Sequence, residues 1–226
     1  MTGKKDLLVL RLEGALQSWG DDSKWDFRDS GSMPTKSGIV GLLGCALGLP
    51  RGDPELTELS NAITMAVRAD RPGVRAIDYQ TVTGNPLMNA EGKKKTPSNT
   101  IISKRVYLED ACFTVFLDVD EPWRSKVLTA LHEPRWCLYL GRKCCVPSRP
   151  VFECTTSDFI DFEDAVRRFP PAKRAKSSME YETEIVSATL ASYTRPDRLL
   201  TADRGFALRR VWRGVVKEVR DVPVQN

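Results

Sequence analysis

Histidine is almost missing from this chain: His132 is the single one in 226 residues. One imidazole leaves little room for histidine-ligated metal or for a His-assisted nucleophile. No C-x-x-C pair occurs among the six cysteines, and the spacing of Cys137, Cys144, Cys145 and Cys154 fits no common zinc knuckle. The thiols read better as small buried hydrophobes in a reducing compartment. Long apolar runs are also missing. Leu7-Leu8-Val9-Leu10 is cut by Arg11 and Glu13, and Gly38 to Pro50 is short and glycine-rich, against about 20 residues for a spanning helix or about 7–15 for a secretory core. The expectation is a cytoplasmic chain with no membrane partner. No Ser-His-Asp order, carboxylate metal cluster or dinucleotide fingerprint is present, and Thr35 stands where a phosphate-binding loop has glycine before its lysine. No cofactor is expected.

A large charge of one sign is lacking too. Lys plus Arg number 34 against 30 acids, a net +4, which excludes a histone-like polycation but permits nucleic-acid binding where charge clusters. The 41% hydrophobic and 28% charged residues are ordinary globular usage, so global disorder is not expected. The length suits one large domain, or one domain with a small appendage.

What is present is clustered. Arg135, Arg142, Lys143 and Arg149 share a stretch with no acid, as do Arg167, Arg168, Lys173, Arg174 and Lys176. Arg204, Arg209, Arg210, Arg213, Lys217 and Arg220 oppose only Glu218. Such runs make a positive field that attracts phosphates, or else several solvated faces pointing different ways. Tyr107, Trp136, Tyr139 and Trp212 lie among them and suit either base stacking or a core.

The order of elements is α+β. Asp6–Leu12 reads as a buried strand. A helix starts near Pro34-Thr35-Lys36-Ser37 and stops at Pro50, and a short helix follows Asp53-Pro54. Strands are expected at 63–69, 77–83, 100–108 and 111–119, and a helix from Pro122 through Leu131. The polar stretch between residues 83 and 100, with Lys93–Lys95, is too long for an ordinary hairpin turn and marks a protruding arm at about 71–110. Strand-loop-strand is expected over 139–152, then a short helix near Phe162, a basic proline-rich connector, and strands near 181–190 and 206–219.

The glycines of the first helix are its most telling feature. Gly38, Gly41, Gly44 and Gly48 fall with Cys45 on an arc roughly 120° wide. An interior glycine costs about 1 kcal/mol relative to alanine, so something must come close to that face. Tight packing explains most of them. The first turn adds free amides, hydroxyls and Lys36, a place that favours an anion.

Leu7–Leu12, the loop Gly14-Ala15-Leu16-Gln17-Ser18-Trp19-Gly20 and the run Pro34 to Gly44 resemble the type I-E members of the Cas-five family of CRISPR-associated proteins, in the RAMP superfamily. Asp78–Val82 looks like that family's arm entry, and Tyr139–Cys144 resembles a later block. The likeness runs, with gaps, from residue 6 to about 154. It implies a ferredoxin-like (RRM-like) body with a β-hairpin thumb, placed over 1–154; the strands read beyond it make residues 155–226 a β-rich extension. It implies a non-catalytic subunit of the Cascade surveillance complex, in antiviral defence. That subunit binds the 5′ handle of CRISPR RNA and touches the large subunit and the adjacent backbone subunit, while the whole complex holds target DNA.

Carried over by residue, the resemblance puts Gln17, Trp19 and Gly20 in a handle pocket beside Lys36, Ser37 and Gly38. Arg142 and Lys143 approach the same RNA, and Lys104, Arg105 and Tyr107 lie on the thumb's return strand. Lys36 stands where many relatives have arginine, and lysine lacks the planar bidentate fork. Its reversal to glutamate is expected to weaken RNA binding without unfolding the chain. The rival is a metal-independent endoribonuclease, as in type I-C relatives. The Lys-His pairing expected there is absent, which leaves Tyr107 with Lys104. A third class is an adaptor whose basic faces meet acidic proteins.

Overall fold

Six consecutive buried residues, Leu7–Leu12, make the first strand, β1 (Lys5–Glu13), one that is covered on both faces. The structure, a computed structural model, describes residues 4–20, 26–84, 87–88, 92–94, 100–184, 193–200 and 205–217. After β1 come the short strands β2 (Leu16–Gln17) and β3 (Phe27–Arg28), then helices α1 (Lys36–Leu47) and α2 (Glu55–Ala62). Strands β4 (Ile63–Arg71), β5 (Val74–Thr83), β6 (Thr100–Glu109) and β7 (Cys112–Val119) lead to helix α3 (Trp123–His132). The remainder is β8 (Phe152–Phe159), α4 (Phe162–Arg168), β9 (Met179–Glu184), β10 (Tyr193–Leu199) and β11 (Phe206–Val216).

Four of these strands stand in the order β8-β1-β7-β4, all antiparallel, with α1 after the first and α3 after the third in chain order. That is the ferredoxin-like arrangement expected from the sequence. The sheet then continues through β9, β11 and β10, for seven strands among the described residues. The C-terminal part is β-rich as expected, but it extends the body's own sheet, and a boundary at 154 falls inside β8. Strand β10 had no recognised signal, because Pro196 and four charged or polar neighbours mask its alternation. The stretch expected over 181–190 is described only to Glu184, and the rest of it lies outside the described residues.

Two cores cover the sheet. Leu8, Leu10, Leu12, Val67, Phe113, Val115 and Leu117 face α1, α2 and α3, while Leu7, Val9, Ala66, Phe116 and Tyr181 face α4 and Phe169. Strict alternation along each strand sorts the two sets.

One expectation fails. Residues 139–152 form no strand before Phe152; they are bends and turns. Leu140, Cys145 and Val151 are buried as isolated anchors, and the local bonds Leu140 N to Cys145 O and Cys145 N to Arg142 O close the loop on itself. Short apolar patches recur here because a loop is pinned at intervals, a pattern that mimics strands in the sequence.

The arm is the hairpin between the ferredoxin-like second and third strands, drawn out beyond the body. β5 and β6 pair without a break from Val74↔Glu109 to Thr83↔Thr100. Gly73, in the left-handed region at φ 76°, makes the bend from β4, where a Cβ would press on the Glu109 carbonyl 2.7 Å away. Of the Lys93–Lys95 tip only Lys93 and Lys94 are among the described residues.

Candidate nucleic-acid interface

Helix α1 begins at a built cap. The Thr35 hydroxyl accepts from Gly38 N at 3.1 Å. The amide of Lys36 donates to a carboxylate oxygen of Asp197 on β10, 2.9 Å away. A helix N-terminus favours negative charge, and here the chain supplies its own. This corrects the expectation of bare amides offered to an anionic strand.

Lys36 is corrected with it. Its side chain is buried, 3% exposed, and Nζ donates to Glu184 at 2.9 and 3.0 Å and to the Ile63 carbonyl at 2.6 Å. Burial lowers its pKa, and Glu184 resists that shift. The lysine belongs to an ionic network under α1: Arg209 grips Asp197 with bonds of 2.8 and 2.7 Å, and Arg195 holds Glu182 at 2.8 Å. Burial works against both carboxylates, yet these arginines leave the pKa of each below its usual range. Charge reversal at Lys36 would set three carboxylates together in the interior, so the variant is a folding mutant.

The glycine face behaves differently. Gly38 packs against the Trp19 ring, where a Cβ would stand 2.9 Å from Cε3, and Gly44 meets Leu56. Gly48 ends the helix in the left-handed region at φ 76°. Gly41 has nothing within 4 Å of where its Cβ would be. It forms part of the floor of an open cleft of about 440 Å³, a size that takes drug-like or nucleotide-sized ligands, roughly 300–1,000 Å³.

Trp19, Gly20, Ser37, Gly38, Trp136, Tyr139 and Gly141 are among the residues that line this cleft, with Leu199, Leu200 and Phe206 closing it from the C-terminal strands. Four expected site residues, Trp19, Gly20, Ser37 and Gly38, therefore do meet, although they come from segments on either side of the stretch 21–34. The loops carrying Ser18 and Gly141 touch back to back: Ser18 N donates to Leu140 O at 3.1 Å, and any Cβ on Gly141 would strike the Ser18 carbonyl. Trp136 is 43% exposed and offers a stacking surface. Leu199, Leu200 and Phe206 were missed by sequence reasoning, because only the sheet topology brings β10 and β11 beside α1.

Gln17 is wholly buried and supports the site from behind. Its amide nitrogen donates to Leu12 and Ala111 carbonyls, and its oxygen accepts from Trp19 Nε1 at 3.1 Å. Arg142 is a staple between loops. It donates to Val106 O at 2.9 Å and to Arg28 O and Asp29 O at 2.8 and 3.2 Å, and its guanidinium lies 4.7 Å from the Tyr107 ring centroid. Its placement as a direct RNA contact is corrected to a positioning role, since those donors already face carbonyls. Tyr107 is buried below it with its hydroxyl 3.6 Å from Cys144 Sγ. Lys143 and Lys104 are exposed, and Arg105 is half-buried beside Ser103.

Fold and cleft define an RRM-like α+β protein with a hairpin arm and an aromatic pocket beside its first helix. The chain belongs to the Cas5 family: the family model described as CRISPR-associated protein (Cas_Cas5) matches residues 7–213. The CRISPR system Cascade subunit CasD of Escherichia coli (strain K12) is 34% identical over 232 residues, covering 96% of this chain and 99% of that protein. A chain of a solved CRISPR RNA-guided surveillance complex superposes with a TM-score of 0.73 at 28% identity, covering 94% of this chain and 90% of that one. A crystal structure of a Cas protein gives 0.66 at 30% identity, covering 93% and 94%. No helix among the described residues is long and apolar enough to cross a membrane.

Proposed function

We propose that this chain is a cytoplasmic Cascade subunit that holds the 5′ handle of CRISPR RNA and joins the large subunit to the backbone filament, without cutting RNA. The observation that carries this reading is the cleft floored in part by Gly41, where two loops and the C-terminal strands converge on an open, aromatic-walled space. A base splayed from a single strand stacks on such rings, and the exposed Lys143 beside the cleft loop neutralises phosphate. The 34% identity to CasD over nearly the whole of both chains supports the assignment to the complex.

The nuclease reading is weaker on geometry. Lys104 and Tyr107 are three residues apart on regular β6, so their side chains leave opposite faces. Burial and the Cys144 thiol raise the pKa of Tyr107, away from the neutral range that suits a general base. His132 packs edge-on against Phe152 at 4.7 Å.

Gly41→Leu tests the proposal directly. The new side chain enters the cleft and meets no protein atom at its Cβ, and helix propensity improves by up to about 1 kcal/mol. The expected result is retained folding with handle-RNA affinity down about tenfold or more, since one displaced stacked base is worth ~1–3 kcal/mol. Wild-type affinity in a folded variant would remove the cleft from the reading. Site-specific cleavage of repeat RNA in chelator, lost in Tyr107→Phe, would overturn the non-catalytic part.

A further inference from the structure

The basic run at 167–176 takes no part in the cleft. It lies on the other face of the sheet, where Leu7, Val9 and Arg11 of β1 and Ala66, Arg68 and Asp70 of β4 point together. The connector 170–176 is fastened there along its backbone. Arg11 and Arg68 each donate to the Pro170 carbonyl at 3.2 Å, and Arg71 donates to Lys173 O at 2.6 Å. Asp70 accepts from Ala172 N at 2.7 Å through its carboxylate and from Lys176 N at 2.8 Å through its carbonyl. Buried Arg11 and Arg68 both pair with this one carboxylate, and Glu153 reaches Arg11 only at 3.7 Å.

What this clamp presents outward is cationic. Lys173, Arg174 and Lys176 are all exposed, and Arg174 is held at φ 58°, a left-handed conformation that non-glycine residues rarely adopt. Strain of that kind persists where the surroundings over-determine it, and it is found most often at working sites. Arg174 is 73% exposed, and the acid it meets among the described residues, Asp110 at 3.4 Å, is 64% exposed; such a solvent-exposed pair binds weakly, so it does little to tie up the guanidinium.

We propose that this connector is a second nucleic-acid contact, separate from the cleft, which grips a phosphodiester backbone through Lys173, Arg174 and Lys176. The chain neighbours of the three cations are Pro170, Pro171, Ala172, Ala175, Ser177 and Ser178. They include no aromatic on which a base stacks, so the contact reads backbone and not sequence. They also include no large apolar anchor of the kind that dominates protein interfaces. Small side chains beside fixed cations let a duplex come close. The proposal rests on the chain working in a guide-RNA complex, yet its test separates the two sites.

The experiment uses the full-length chain with two fluorescent probes, the handle RNA and a random-sequence DNA duplex, each titrated over a range of NaCl. The variant is Lys173→Gln, Arg174→Gly, Lys176→Gln, in which glycine accepts the left-handed conformation and the clamp is untouched. Duplex affinity is expected to fall about tenfold or more near 0.1 M salt, and the log-log salt slope to shrink by about 2–3, the counterions released by three phosphate contacts. Handle-RNA affinity should stay within about twofold, while Gly41→Leu should do the reverse. Unchanged duplex affinity and slope would overturn the proposal. So would equal loss on both probes, which would make connector and cleft one site. If the variant keeps duplex binding but loses an acidic polyglutamate probe, the face serves acidic protein and the proposal falls.

Discussion

The charged start of α1 at Lys36 and the glycine face of the same helix behave as opposites. That start carries the charge, the hydroxyls and the amides, everything that suggests an anion site, yet Lys36 is sealed there, its side chain by Glu184 and its amide by Asp197. The glycine face carries no charge and is open at Gly41. Chemistry in the side chain is therefore a poor guide to which part of a helix is accessible. A buried charge attracts its partner from within the chain, whereas a missing side chain leaves room that something else can enter.

The contrast can be broken most severely at Lys36. Lys36→Glu should lower stability by about 3–5 kcal/mol, the usual consequence of leaving a buried charge unpaired or opposed, read as a shift in the denaturant midpoint. A variant as stable as the parent would mean that the first turn is open after all. Gly38→Ala comes next. Its Cβ would press on Trp19 and Thr35, and overpacking of this kind costs about 1–3 kcal/mol. Gly41→Ala, one turn on, is expected to change stability by at most about 1 kcal/mol, in the favourable direction. Equal effects at 38 and 41 would erase the difference between the packed and open parts of the face.

The smallest effect is on pH dependence. Asp197 and Glu182 have folded-state pKa values below their ordinary ones. Their stabilisation is thus fully present above about pH 5, where both are ionised in either state, and is lost as pH falls through the lower folded values. Melting temperature should fall with acidification below about pH 4, with a shallower slope in Asp197→Asn. An identical slope in that variant would show that the network does not govern the acid limb.

Much of the body was legible because its signals are local. The apolar run of β1, the cap and stop of α1, the alternation in β4 and β7 and the length of the 83–100 connection each specify an element without reference to anything distant. The loop at 139–152 was not legible, since Leu140, Cys145 and Val151 are buried singly and imitate a strand. Within the site, Trp19, Gly20, Ser37 and Gly38 could be picked out from the residues that carry the family likeness. The roles of Gln17 and Arg142 could not. A glutamine or arginine bonded to backbone carbonyls looks the same in sequence as one waiting for RNA.

By itself the sequence determined the α+β alternation, the arm, the clustering of cations and a helix with one face stripped of side chains. Local propensity and periodicity act over a few residues, and these features need no more. The tertiary structure decided which charges are available. Asp197 and Glu184 reach Lys36 across about 150–160 residues of chain only because β9 and β10 join the same sheet beside α1, and electrostatics at a helix end depends on what stands within a few ångströms of it, not on what adjoins it in the chain.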